Sequence, residues 1–480
     1  MAGTTWGPFR FSEKTNGMAY EILEQRERMS EPNQSRWTRR GFLGALPAAL
    51  AMSTMVRSAE GENQGPVGQA AAGIPPAPNW ENQIKITVGR RNADLVGDNE
   101  KVIQAAVDYI SGWGGGTVHI LPGTYHMRNS VSLCSGVRII GSGQDSVLVK
   151  EPEAKTKLAE DSESWQREVV VADPSGFQVG DGVCLEVIGE WHRGDYFIQR
   201  SLVARDGNRF KLNRPLSDDD FTVKGKATIA TLFPLFNVDG VSNVRIENIA
   251  LDGNRAKQES LYHNWGNILG GIWLNKSNHI QMQNVISRES CADGISAQTC
   301  DDVLIESCHC LNNVGFGIHS GTGSQRPIAR NNRLENNFIG FYFCWGVRYG
   351  LVENNVILNN SEYGVRLGQK DSDNVVRNNE IRNSGKVGVI FERVGDDPAY
   401  SPDRNRVEGN SIIDNGGETG VGVDVKGVAK DAVIERNHIT ESRQPLKRVG
   451  LRIGARTRNV KLADNHVVGF SVNVMDLRKT

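Results

Sequence analysis

His319, Tyr342 and Arg366 follow one another at steps of 23 and 24 residues, and Trp273 and Ser296 precede them at steps of 23. An imidazole, a phenol and a guanidinium brought into line would suit proton abstraction beside a carboxylate. That chemistry needs a cation to neutralise the carboxylate and a base to take the carbon-bound proton. Arg366 would clamp the carboxylate, and either His319 or Tyr342 would be the base and the other the acid. Trp273 would offer an aromatic face to a sugar ring and Ser296 a hydroxyl, so the line reads as a glycan groove acting on uronate units. In the bland alternative, His319 and Tyr342 pack on each other under a loop and Arg366 pairs with Glu362.

A second chemistry, glycoside hydrolysis, needs two carboxyl groups about 5–5.5 Å or ~6.5–9.5 Å apart. Asp293 and Asp252 form the best pair, because they fall on neighbouring repeats. The segment following Asp252 is the longest insertion in the early repeats and carries Tyr262, His263 and Trp265, expected substrate-binding residues at one end of the groove. A third class is a non-catalytic glycan-binding or structural solenoid.

These residues are positioned by a repeat. Gly271, Gly294, Gly317, Gly340, Gly364 and Gly388 each open a glycine–apolar–any residue–mostly apolar pattern, with Gly422 and Gly450 continuing it. A fixed period of this length marks a solenoid, and alternation within each repeat marks its units as strands. Successive parallel strands lie ~4.8 Å apart, so the third position of the pattern forms one outward column through all five residues. Asparagines 248, 284, 332, 355, 379, 410 and 437, with Ser307 in one repeat, predict a structural amide ladder at a turn. Upstream, Val102, Ile103, Ala106, Val107 and Ile110 recur at helical spacing behind Asp98, the expected N-cap of a helix that covers the first coil.

The run Ile103-Gln104-Ala105-Ala106, Gly115-Gly116-Thr117-Val118, Leu121-Pro122-Gly123-Thr124-Tyr125 and Gly136 to Gly143 resembles the opening of the pectate-lyase-like superfamily. The resemblance covers about residues 84–148 and the repeats from 233 onward. It implies an all-β fold, a single-stranded right-handed parallel β-helix with an N-terminal capping helix and a small inserted β-subdomain. It is specific for fold and not for reaction, since the superfamily hosts lyases, hydrolases, epimerases and tailspike-type proteins. Asp293-Gly294 is similar to the Asp-Gly of polygalacturonase-type hydrolases, but the rest of their motif set is absent as a set. Many lyases of this fold use calcium, so the resemblance allows Ca2+, although no compact acidic cluster points to a metal site. No other cofactor is expected.

The chain divides into a leader (1–59), a Gly/Ala/Pro-rich linker (60–80), the cap with the first coils (81–149), an inserted β-rich segment (150–232) and the repeats (233–480). Thr38-Arg39-Arg40-Gly41-Phe42-Leu43 and the apolar stretch behind it resemble a twin-arginine export signal. The expected partners are therefore an export machinery and a polysaccharide, with a periplasmic or secreted location. A net charge of −1 argues against nucleic acid, and no apolar run approaches the ~20 residues of a membrane span. The seven cysteines form an odd set without a Cys-x-x-Cys pair. Most read as buried filling, while export would permit one or two disulfides between coils.

Overall fold

The computed structural model describes residues 78–479, apart from 188–195, 217–219, 263–265, 393–396 and 445–446. The twin-arginine motif and the leader lie outside the described residues.

From Lys85 the chain winds into a parallel β-helix, interrupted between Lys155 and Ala230 by an insert. One wall is an eleven-stranded parallel sheet, from Val131–Ser132 through Phe236–Asp239, Ile272–Asn275, Ile295–Gln298, Phe316–Gly321, Ile339–Cys344, Tyr363–Leu367 and onward to Val472–Asp476. The other walls belong to a second, larger parallel sheet, in which strands such as Ile328–Arg330 and Arg333–Glu335 stack in separate columns. Inside the winding, Ile295, Ile318, Phe341, Val365, Val389, Val423 and Leu451 stack coil on coil within one continuous core.

The glycine column has a steric cause. A Cβ on Gly294 would sit 2.7 Å from the carbonyl oxygen of Gly317, and one on Gly317 would sit 2.7 Å from that of Gly340. The same clash recurs at Gly340, Gly364, Gly388 and Gly422. Coils can approach here only because no side chain intervenes.

Two adjacent asparagine columns do different work, which corrects the single ladder expected. Asn248, Asn284 and Ser307 adopt left-handed backbone at a corner, and the strand register aligns them with Asn331, Asn354 and Asn378. The buried ladder lies one residue later, at Asn332, Asn355, Asn379, Asn410 and Asn437. Asn355 Oδ1, for example, accepts from the Asn332 backbone N–H and from Asn332 Nδ2, both at 2.9 Å. A second buried ladder, Asn313, Asn337 and Asn360, fixes the corner that leads into the eleven-stranded sheet.

The helix Glu100–Gly112 buries Ile103, Ala106, Val107 and Ile110 against the first coil. Its N-cap is Asn99, whose side chain accepts from the Lys101 N–H, and not Asp98. Asp98 instead sits near Arg90 at the exposed entry to the turn.

Strands between Lys155 and Ala230 form a separate six-stranded antiparallel sheet, with a hairpin turning at Asp206-Gly207-Asn208 and a core of its own. It is stitched to the first coils by Arg128, which clamps Asp181 through two bonds of 2.7 and 2.8 Å, and by Asn129, which donates to the Gly180 carbonyl. All seven cysteines are unpaired; Cys310 fills the core while His309 points out to Glu335.

Candidate functional site

Strand pairing places Trp273, Ser296, His319, Tyr342 and Arg366 opposite one another on consecutive coils. Ile390, Asp424 and Arg452 continue the column, and Asn237 and Ser132 precede it. Their strand neighbours Ile272, Leu274, Ile318, Phe341 and Val365 lie in the solenoid core, so the column faces the outer wall.

Much of that column is covered by its own neighbours. The His319 ring lies 5.2 Å from that of Tyr342 at 18°, with the edge of Phe316 closing at 4.8 Å. The Arg366 guanidinium sits 4.8 Å from the centre of the Tyr342 ring. Stacking of His319 on Tyr342 therefore occurs as the packing alternative supposed, but Arg366 pairs with Glu392 at 3.7 Å; Glu362 is taken by Lys386. Beyond Arg366 the charges alternate, with Lys426 bridging Glu392 and Asp424, and Arg452 holding Asp424.

Asp293 is a support for this stack. One carboxylate oxygen accepts from the Phe316 N–H and the other meets His319 Nδ1, each at 2.9 Å. Burial alone would pull the imidazole down, but the bond to Asp293, with the neighbouring Cys344 sulfur, reverses this and leaves His319 at about 9. His319 Nε2, on a side chain 4 % exposed, closes no geometrically complete hydrogen bond, although the Cys344 sulfur is near enough to help hold the ring's proton. Arg366 Nε closes none either. Tyr342 is pushed well above its ordinary value by burial, against the pull of Arg366.

Other expected site residues have different partners. Ser296 is fully buried, accepting from the Gln298 amide at 3.2 Å. Asp252 belongs to the other sheet, where its oxygens accept from Arg288 and from the Asn254 N–H. All four oxygens of Asp252 and Asp293 are thus engaged, and neither acid meets the other. Tyr262 anchors the inserted sheet, through Glu186 at 3.3 Å and the edge of Phe197. His263 and Trp265 lie outside the described residues. Trp273 is half-buried, in a cleft of about 280 Å3 shared with Asn237, Ser132 and the inserted sheet.

Sequence reading missed Cys344 and the partnership of Glu392 with Arg366. Both stand two residues beyond a column member, and extending the two-residue strand period past the fourth position of the motif would have found them. It also missed Asp371, a buried carboxyl raised to about 7 by burial despite accepting from the Val347 and Gly368 N–H groups.

A model of the right-handed β-helix region matches residues 235–397 and 346–475, together just over half of the chain. The chain belongs to the right-handed β-helix family. No curated protein matches it significantly in sequence. Among solved structures, the chain is similar to the A-module of the mannuronan C-5 epimerase AlgE4 of Azotobacter vinelandii at 16% identity, covering 81% of this chain and 97% of that one, with a TM-score of 0.49. A hyperthermoactive exopolygalacturonase of Thermotoga maritima shares 13% identity over 86% and 95%, at 0.47. PfbA, a surface adhesin of Streptococcus pneumoniae, shares 12% over 79% and 89%, at 0.46.

Calcium would need several free oxygen ligands in one place. Along the column of this β-helix, the carboxylates of Asp424 and Glu392 are each held by lysine or arginine, and Asp293 by His319. Among the described residues no three His, Cys, Asp or Glu side chains converge on a cation position. The described carboxylates along the column therefore do not fit a resident calcium ion.

Proposed function

We propose that this β-helix protein acts on a uronate-containing polysaccharide by proton abstraction, as a lyase or an epimerase. The observation that carries the reading is the open, buried Nε2 of His319, stacked against Tyr342 and followed one coil later by Arg366. Two coils, ~9.6 Å along the wall, separate His319 from Arg366; the Tyr342 ring fills that interval, so one sugar ring would span the three side chains by lying over the stack. Arg366 takes the uronate carboxylate, which lowers the cost of negative charge building beside it as the proton leaves. His319 Nε2 removes the carbon-bound proton while Asp293 holds Nδ1–H and stabilises the imidazolium that results. Tyr342, kept protonated by burial, donates to the leaving glycosidic oxygen in a lyase or returns a proton to carbon in an epimerase.

The test is a panel of polygalacturonate, alginate and glycosaminoglycans. An ultraviolet-absorbing unsaturated product marks a lyase, and solvent deuterium fixed at carbon without cleavage marks an epimerase. New reducing ends with neither signature would defeat the reading in favour of hydrolysis. Binding without turnover, unchanged by alanine at His319 and Tyr342, would make the protein a glycan-binding solenoid.

The site of action we propose is outside the cytoplasm, on the strength of Arg39-Arg40 and the apolar stretch after it. Replacing both arginines with lysine should strand the precursor inside a bacterial cell, and secretion that ignores the change would sink the assignment.

A further inference from the structure

We propose that the cleft between the inserted sheet and the start of the eleven-stranded sheet is the terminal saccharide subsite of the groove, taking the end of an acidic glycan chain. This rests on reading the groove as uronate-processing. The floor of the cleft includes Ser132, Asn237 and Trp273, the first three members of the same outward column that continues to Ser296, His319, Tyr342 and Arg366. The register aligns the cleft with the reacting residues, Trp273 lying ~9.6 Å, or two coils, from His319; Ser296 between them is fully buried, so a glycan chain would pass over that coil and into the cleft without touching it.

The walls are chemically suited to a sugar. Serine and asparagine side chains supply hydroxyl and amide groups, Phe197 and Trp273 supply aromatic surface, and Arg200 and Arg214 place two cations against the single acid Asp239. A volume of about 280 Å3 suits one small polar unit. Column and cleft end together, because Val131–Ser132 is the first strand of the sheet and the coil before it is sewn to the insert. Asn129 donates both to the Gly180 carbonyl and to Ser201 Oγ, and Gly182 N–H donates to the Arg128 carbonyl at 2.8 Å. A polysaccharide passing along the groove meets this seam, so its end lodges in the cleft and the bond acted on lies a fixed few units away.

The experiment measures binding of tetrasaccharides of galacturonate and of mannuronate to the full chain carrying His319→Ala, together with product sizes from the otherwise unaltered protein. Asn237→Trp, which fills the cleft, should weaken binding at least tenfold and replace short uniform products with mixed lengths. Arg214→Ala, at an exposed side chain that threatens no packing, should weaken binding severalfold. Lys461→Ala, at an exposed side chain on the other sheet, should change neither. Equal affinity in Asn237→Trp, Arg214→Ala and the unaltered cleft overturns the subsite, as does failure of both tetrasaccharides to bind. Weakened binding without lyase or epimerase turnover in the parent keeps the subsite and removes the proposed chemistry. Turnover with unchanged affinity and product size in both variants does the reverse.

Discussion

In the proposed reaction, protonation of His319 couples catalysis to stability. Its folded value of about 9 lies above the ~6.5 of an unperturbed imidazole, so the folded state holds the proton more tightly. The sign follows: this stabilisation is complete below about pH 6.5 and is lost as pH rises through about 9. Thermal unfolding should therefore show the parent losing on the order of 3 kcal/mol relative to His319→Gln between pH 6 and 10. A pH-independent difference between the two would remove Asp293 as the partner that holds the charge. In catalysis the same proton must leave before Nε2 can act, so kcat/KM should climb about tenfold per pH unit up to roughly pH 9 and then level. Tyr342→Phe should keep the fold and lower kcat by about 10²–10⁴. The side chains of the column were legible because the repeat states which position faces outward. Their partners were less so: Asp293 reaches His319 from the preceding coil's corner, outside the strand alternation, whereas Glu392 stands two residues past Ile390 on the next coil, within reach of the strand period.

At the scale of the strand and its corners, stability rests on what the coils exclude and what they pair. Gly317→Ala would place a methyl 2.7 Å from the Gly340 carbonyl oxygen, a backbone atom that cannot step aside. A loss of about 1–3 kcal/mol is expected by denaturant unfolding. Asn355→Ala removes the acceptor of the buried Asn332 N–H and the donor to the Ala329 carbonyl, at a cost of about 1–3 kcal/mol for each group left unpaired. An Asn355 variant as stable as the parent would show that water replaces the ladder. The glycine period was plain in the sequence because steric exclusion admits one residue type. The asparagine columns were blurred, since two neighbouring positions favour the same residue for different reasons, one for left-handed backbone and one for buried pairing.

For the whole molecule, a solenoid grows by repetition and leaves its ends to be sealed. The first coil is sealed by the helix Glu100–Gly112, which the apolar spacing announced with only its cap residue misplaced. The inserted sheet was announced as well, by strand patterns and the Asp206-Gly207-Asn208 turn. Its seat at the head of the outward column was not, because docking depends on Arg128, Asn129 and Tyr262 meeting residues more than 50 positions away.

The most direct measurement is mass spectrometry of products formed from polyuronate in heavy-oxygen, deuterated water, by the parent and by Arg366→Ala. Proton abstraction predicts fragments without incorporated solvent oxygen, or intact chains carrying deuterium at the ring carbon. The arginine variant should be slower by on the order of 10²–10³, as expected when one charge-stabilising group is lost. Solvent oxygen at every new chain end, at a rate indifferent to Arg366, would contradict the account.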